Sequence, residues 1–310
     1  MPGTLPPLIG ANCLILGAGS LGRLLGALLP ADTAALVPRQ RPREQHCRYQ
    51  FRPLAESPRW VLLPWADLER DFDKAGMVLV TTKAQDTSAA IAAIQSRISA
   101  SIPLVLFQNG LGSQQAVTER FPEHPILAAS TTEGANRPTA DTLVHAGTGD
   151  TWVGALNDSG HTSLPIVVKY LQTSGLSVHP EPEIEPRLWQ KLVINAGINA
   201  FTALLDCPNG AILDNPFYLQ RIDTLCEELS TLMRHEGLPT QTAAELRRRI
   251  EAVAQATARN TSSMRADLQN HRTTEIDFIN GYVANRCESA NLNARVNREL
   301  TNRVKELETV

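Results

Sequence analysis

The chain has 310 residues, of which 43% are hydrophobic and 20% charged, with a formal net charge of −3. At about 150 residues per domain this describes a globular protein of two domains. With no long Lys/Arg block, nothing in the charge pattern favours nucleic acid or an anionic membrane surface as a partner, and neither is expected. No cationic region occurs in the opening "MPGTLPPLIGAN", so a frayed N-terminus is expected there rather than a signal peptide. The apolar stretch that follows, "CLILGAGSLGRLLGALL", is interrupted by Arg23 and four glycines, which leaves it unfit to span a bilayer.

Its first part, "NCLILG" (12–17), reads as a buried strand that runs into a glycine array, Gly17, Gly19 and Gly22, and then into the helical "SLGRLLGALL". A G-x-G-x-x-G turn between strand and helix allows a tight bend, a backbone close enough to touch pyrophosphate, and close helix–strand packing. The helix N-terminus then presents free N–H groups to the phosphates. Gly17, Ala18, Gly19, Ser20, Leu21 and Gly22 are therefore candidate cofactor-binding positions. A glycine-rich turn without a ligand is the plainer alternative.

The second strand, "AALVP" (34–38), leads into Arg39, Arg41 and Arg43, with no acid at its tip. An NAD enzyme usually places Asp or Glu there for the ribose 2′-hydroxyl, whereas a guanidinium suits a 2′-phosphate. NADP(H) is the expected cofactor, with Arg39 as its contact, although such arginines also serve simply to solvate a loop. Residues 44–65 break the alternation and predict a short antiparallel excursion. The apolar runs "MVLVTT" (77–82), "PLVLFQ" (103–108) and "PILAAST" (125–131) resume it, with an amphipathic helix over 85–98 between the first two. Near-continuous apolar strands separated by helices predict a parallel sheet covered on both faces. Ligands of such sheets bind beyond the carboxyl ends of the strands. There the sequence places Lys83, Asn109 with Gly110, and Thr131, Thr132 and Ala135, which together can frame a nicotinamide and an anionic substrate. "TLVHAG" (142–147) and "TWVGA" (151–155) are expected to add antiparallel strands.

The proline-rich "HPEPEIEP" (179–186) predicts an inter-domain connection, because Pro cannot continue a helix and restrains its predecessor. The expected division is an α/β domain, doubly wound with a mostly parallel sheet, over 1–182, and an all-α domain over 183–310. Helices are predicted at about 187–205, 216–236, 240–259, 274–290 and 293–307. In the first of them Lys191, Asn195 and Asn199 recur every fourth residue within the otherwise apolar "WQKLVINAGINAF". That spacing keeps all three on one side of the helix. A buried polar group without a partner costs roughly 1–3 kcal/mol, so the row implies an unseen polar ligand or else a solvent-facing stripe. Five scattered cysteines without a C-x-x-C fit a reducing cytoplasm, and the seven histidines show no ligand-like pairing, so no metal is expected.

"GAGSLG", "TTKAQD", "QNGLGS", "LWQKLVINAGINAFTALLDCPNG" and "TSSMRADLQNHRTTEIDFING" occur in this order, and together they resemble the motifs of the ketopantoate reductase family over nearly the whole chain. The resemblance implies a Rossmann domain followed by a helical domain of the phosphogluconate dehydrogenase type, with the active site between them. The activity it implies is NADPH-dependent reduction of 2-dehydropantoate to (R)-pantoate, on the route to pantothenate and coenzyme A. On that pattern Lys191 is the general acid, and Glu275 contacts the cofactor and the catalytic region. The same pattern makes Asn109, Asn195, Asn199, Asn209 and Ser263 substrate contacts. Ser263 also reads as a helix cap and Asn209 as part of an ordinary turn, while Asp267 is expected to orient polar neighbours and Trp189 and Phe278 to pack. No motif covers 39–72. A homodimer is compatible with a helical second domain of this kind. Two other readings stay open: a reductase of another 2-oxo acid, and a non-catalytic NADP(H)-binding sensor, which would need neither Lys191 nor Glu275.

Overall fold

The computed structural model describes residues 12–40, 42–67, 71–72, 74–239 and 241–308. It divides into two compact units, one comprising the described residues up to Gln108 together with Ser113–Ile184, the other Asn109–Gly112 together with Glu185 onward.

In the first unit, β1 (Asn12–Leu16), α1 (Ser20–Leu28) and β2 (Ala34–Val37) are followed by β3 (His46–Arg52) and β4 (Arg59–Pro64). Then come β5 (Ala75–Val80), α2 (Ala84–Ile94), β6 (Leu104–Leu106), α3 (Ser113–Arg120) and β7 (Ile126–Thr131). The unit ends with β8 (Gly134–Thr139), β9 (Thr142–Gly147), β10 (Asp150–Ala155), α4 (Asp158–Gln172) and β11 (Ser177–Pro180). The main sheet has the order β11-β10-β7-β6-β5-β1-β2. Its strands are parallel from β2 to β7, and β10 then runs antiparallel to β7. The excursion over 44–65 forms the antiparallel pair β3–β4, which joins β9 and β8 in a second sheet of order β4-β3-β9-β8.

Alternation along β1 sorts its side chains to opposite faces, as the two-residue strand period requires. Cys13 and Ile15 join Leu24 and Leu25 of α1, Val167 and Leu171 of α4, and Tyr49 and Phe51 of the small sheet. Leu14 and Leu16 face Ile91 and Ile94 of α2 and Val117 and Phe121 near α3. Burial on both faces explains why these strands read as continuous apolar runs.

The second unit contains α5 (Ile184–Leu204), α6 (Pro216–Leu219), α7 (Ile222–His235), α8 (Ala243–Ala256), α9 (Ser263–Gln269), α10 (Asn280–Ser289) and α11 (Arg295–Glu308). Gly197 lets α5 approach α8 closely, since a Cβ there would lie 2.6 Å from Ile250 Cδ1. Buried Glu228 of α7 accepts from the N–H groups of Val296 and Asn297 at 2.8 and 3.0 Å, satisfying the N-terminal turn of α11. Asn280 Nδ2 in turn donates to Asn297 Oδ1 (3.0 Å) and to the Ala196 carbonyl of α5 (3.2 Å), tying three helices by their polar cores.

Several expectations change. The unit boundary after Ile184 falls within 179–186, but the stretch carries regular structure: its first residues end the edge strand β11, and α5 begins at Ile184 with Pro186 in its first turn. Pro is tolerated at a sheet edge, and in a first helical turn its missing N–H is one the helix leaves unpaired anyway. Helix α4 carries Pro165 inside it and has no counterpart among the predicted elements. Residues 216–236 split into α6 and α7, and the stretch predicted as helix from 274 starts with the 3-10 turn Ile276–Phe278 before α10. Ala135 does not extend β7; it sits in β8, opposite His145 in the second sheet. The expected frayed start, 1–11, and Arg41 lie outside the described residues.

Candidate active site

The turn after β1 meets each steric demand of a phosphate cradle. Gly17 has φ +124°, and a Cβ there would lie 2.7 Å from the Thr81 and Thr82 backbone. At Gly22 a Cβ would lie 2.0 Å from the Gly17 carbonyl, so only glycine lets α1 pack this close to the turn. Gly19 differs: a Cβ would meet nothing within 4 Å. Its glycine is not required by the protein's own packing, which leaves open space against the backbone. Gly19 is the N-cap of α1 without a side-chain cap, and the first turn carries no acid. Among the described residues no acceptor takes the N–H of Gly19 or Ser20. A nucleotide diphosphate fits such a turn, which offers unpaired donors and the positive end of a helix dipole. Ala18 and Leu21 pack against the core beneath.

Other predicted contacts of this unit take varied positions. Arg39 is exposed two residues past β2, and Arg43 is exposed further along the same loop. Lys83 is the half-buried N-cap of α2, just beyond β5, and its carbonyl accepts from Asp86 N–H and Thr87 Oγ1. Gln108, not singled out from the sequence, donates through Nε2 to the carbonyls of Val80 (2.9 Å) and Thr82 (3.1 Å). It locks the tips of β5 and β6 together and leaves its own Oε1 buried without a partner. The signal was present as a carboxamide closing the apolar run "PLVLFQ".

In the helical unit, the loop 109–112 packs against the 3-10 turn after Glu275. Leu111 N–H donates to the Phe278 carbonyl at 2.8 Å. A Cβ on Gly110, at φ +78°, would lie 2.1 Å from the same oxygen, so glycine is required for this approach. The result places Asn109 Nδ2 3.1 Å from Glu275 Oε2, joining residues 166 apart in sequence. Glu275 is buried.

Lys191, Asn195 and Asn199 all lie on α5, where Leu192, Val193, Ala196, Ile198 and Ala200 around them are buried. Asn199 is buried, while Lys191 and Asn195 are partly accessible. No hydrogen bond among the described residues satisfies the amine of Lys191 or the carboxamides of Asn195 and Asn199. Although Lys191 keeps some accessible surface, burial pushes its pKa from 10.5 down to about 8, against the opposing pull of the Glu275 carboxylate. A lysine so poised exchanges its proton near neutral pH.

Asn209 is buried, donates to Thr257 Oγ1 at 2.9 Å and leaves Oδ1 without a partner. The cap of α9 is Ser262, whose hydroxyl accepts from Arg265 N–H and lies 2.7 Å from Thr202 Oγ1. Ser263 is the first residue of the helix and is exposed, so capping does not account for it. Buried Asp267 pairs with Arg272 at 3.4 Å, and buried Trp189 packs edge-on against Tyr282. Among the described residues no group of three or more His, Cys, Asp or Glu could hold a metal ion. No helix among them is long and apolar enough to cross a membrane.

Comparison with known proteins identifies the family. Residues 13–158 match the family model "Ketopantoate reductase PanE/ApbA", and residues 183–308 match "Ketopantoate reductase PanE/ApbA C terminal". A 2-dehydropantoate 2-reductase of Vibrio cholerae is 35% identical over 234 residues, 76% of this chain and 78% of that protein. That of Archaeoglobus fulgidus is 31% identical over 299 residues, 95% and 97% of the two chains. Among solved structures, D-mandelate dehydrogenase with NADH and anilino(oxo)acetate superposes with a TM-score of 0.85 at 21% identity, covering 96% of this chain and 98% of that one. With both family models matched in order along the α/β and helical parts, the chain belongs to the ketopantoate reductase family.

Proposed function

We propose that this protein reduces 2-dehydropantoate to (R)-pantoate with NADPH. The observation that carries the reading is the row on α5: an amine and two carboxamides on a largely buried helix, with no hydrogen-bond partner in the described protein and a carboxylate acting on the amine. A 2-oxo acid with a carboxylate, a carbonyl and a hydroxyl supplies the missing partners for donors and acceptors of these types. The family supports the substrate, since its curated relatives carry the name 2-dehydropantoate 2-reductase.

When bound, the dihydronicotinamide supplies a hydride to the carbonyl carbon of the substrate. The chain's part is to hold the acid in place and to deliver a proton to the oxygen. Lys191 Nζ is the donor: its ammonium neutralises the developing alkoxide and passes its proton to it. Glu275 keeps the amine charged against the cost of burial, and is itself held by Asn109. Asn195, Asn199 and Asn209 orient the substrate, and the exposed hydroxyl of Ser263 is open to its carboxylate.

Gly17–Gly22 would hold the cofactor's pyrophosphate, and Lys83, Asn109, Ala135 and Glu275 would be further contacts. Arg39 beyond β2, with no acid at the strand tip, favours the 2′-phosphate of NADPH over the free hydroxyl of NADH. Five unpaired cysteines are consistent with work in the cytoplasm.

The test is steady-state turnover with NADPH and with NADH, first on 2-dehydropantoate and then on a panel of linear, branched and aryl 2-oxo acids. The highest kcat/KM for 2-dehydropantoate with NADPH supports the reading. A clear preference for another acid assigns the same chemistry to a different substrate. Tight NADPH binding with no turnover on any acid leaves a sensor instead.

A further inference from the structure

Beneath the glycine turn two arginines do the same thing. Arg23 of α1 donates through Nε to the Ala18 carbonyl (3.2 Å) and through Nη1 to the Ala140 carbonyl (2.7 Å). Arg137 of β8 donates through Nη1 to that Ala18 oxygen (3.3 Å) and through Nη2 to that Ala140 oxygen (3.0 Å). Two guanidiniums thus share two carbonyl oxygens, one in the cradle and one in the turn between β8 and β9. Arg23 is itself held: its guanidinium lies 5.2 Å from the centre of the buried Tyr49 ring, and Tyr49 OH donates to the Arg23 carbonyl at 2.7 Å. Among the described residues no carboxylate pairs with Arg23.

The consequence follows from peptide geometry. A trans peptide is planar, so its C=O and the next residue's N–H point in opposite directions. Fixing the Ala18 oxygen toward the arginines therefore fixes the Gly19 N–H away from them. That N–H has no acceptor among the described residues, and Gly19 stands against open space. Charge-assisted bonds to the oxygen also polarise the peptide, making its N–H a stronger donor.

We propose that Arg23 and Arg137 are positioning residues of the dinucleotide cradle, which act through the Ala18–Gly19 peptide to aim and strengthen the N–H that binds the pyrophosphate. This rests on the reading that the glycine turn holds a dinucleotide. Neither arginine touches the ligand in this scheme; each acts on the peptide that does.

The experiment compares ligands with and without a pyrophosphate on the full-length protein. Kd is measured for NADPH and for adenosine 2′-monophosphate in the wild type, Arg137→Met, Arg137→Lys and Arg23→Met. Removing one clamp should raise Kd for NADPH about tenfold, the effect of one charge-assisted hydrogen bond. Kd for adenosine 2′-monophosphate should stay within about twofold, and kcat at saturating NADPH should be unchanged. Arg137→Lys should recover part of the NADPH affinity, since a lysine still donates to the carbonyl. Equal weakening of both ligands would reveal a merely structural brace and overturn the proposal, as would no weakening of either. Should Arg23→Met fail to fold, the Arg137 pair decides alone, because Arg137 lies on a partly accessible strand. A wild type that binds no dinucleotide would overturn the underlying reading instead, a result distinct from a variant that binds as the wild type does.

Discussion

Replacing Glu275 with Gln removes one charge and preserves the shape of the site, since the new amide oxygen can still accept from Asn109 Nδ2, now 3.1 Å from the carboxylate. The lysine then faces burial with no opposing carboxylate, so its pKa falls below its present value of about 8. An opposite charge nearby is worth about one to three pKa units, of which one to two are taken here for a partly accessible lysine. At pH 7.5 the ammonium fraction would drop from about three quarters to about one quarter for one unit, and to about 3% for two. kcat/KM at pH 7.5 should therefore fall by roughly 3- to 25-fold and recover toward the wild-type value near pH 5.5. The assay is the pH dependence of kcat/KM, which reports the free enzyme, with the alkaline limb expected to move to lower pH. An alkaline limb that stays in place, or a loss equal at every pH, would refute the charge-holding role of Glu275.

Further outcomes follow from the same geometry. Gly22→Ala forces a Cβ to 2.0 Å from the Gly17 carbonyl and should lower thermal stability along with NADPH binding, whereas Gly19→Ala meets nothing and should keep the melting temperature while weakening NADPH at least about tenfold. Calorimetry paired with a binding titration separates the two. Arg39→Asp should shift the NADPH-over-NADH preference by about tenfold or more toward NADH, read from the ratio of kcat/KM values. Lys191 titrates near 8 when folded but keeps its proton to its ordinary value when unfolded, so between these values the unfolded chain binds more protons and stability rises with pH. At about 1.4 kcal/mol per unit that contribution is at most about 3 kcal/mol before solvent screening; the buried cysteines, whose thiols burial pushes up, oppose it in both proteins, so urea melts at pH 7.5 and 9.5 should show a change in stability more favourable in the wild type than in Lys191→Met.

How much of this could be read from the sequence depended on whether the signal was local. The strand–glycine–helix unit was legible because β1, the turn and α1 adjoin in the chain and Gly17 and Gly22 answer nearby steric demands, while Gly19 faces open space. The row on α5 was legible because polar residues four apart contrast with an apolar helix. The small sheet was only half visible: antiparallel β3–β4 could be expected from one stretch, but the pairing of β3 with β9 spans distant segments. The prolines marked the stretch in which the unit boundary falls, after Ile184, but hid the strand end and helix start there, since edge strands and first helical turns accept them. Arg23 and Arg137 carried no signal, because 117 residues separate Ala140 from Arg23 and only the fold brings them to shared carbonyls. Ser263 showed the reverse, a residue whose local pattern suggested a cap when its neighbour Ser262 takes that part.

The most direct test of the account is a single turnover of NADPH-saturated protein with 2-dehydropantoate in a stopped-flow instrument, comparing wild type with Lys191→Ala. The account predicts unchanged NADPH affinity and a rate of dihydronicotinamide oxidation lower by roughly 10²–10⁴-fold, the worth of a positioned proton donor. Equal rates in the two proteins would contradict it.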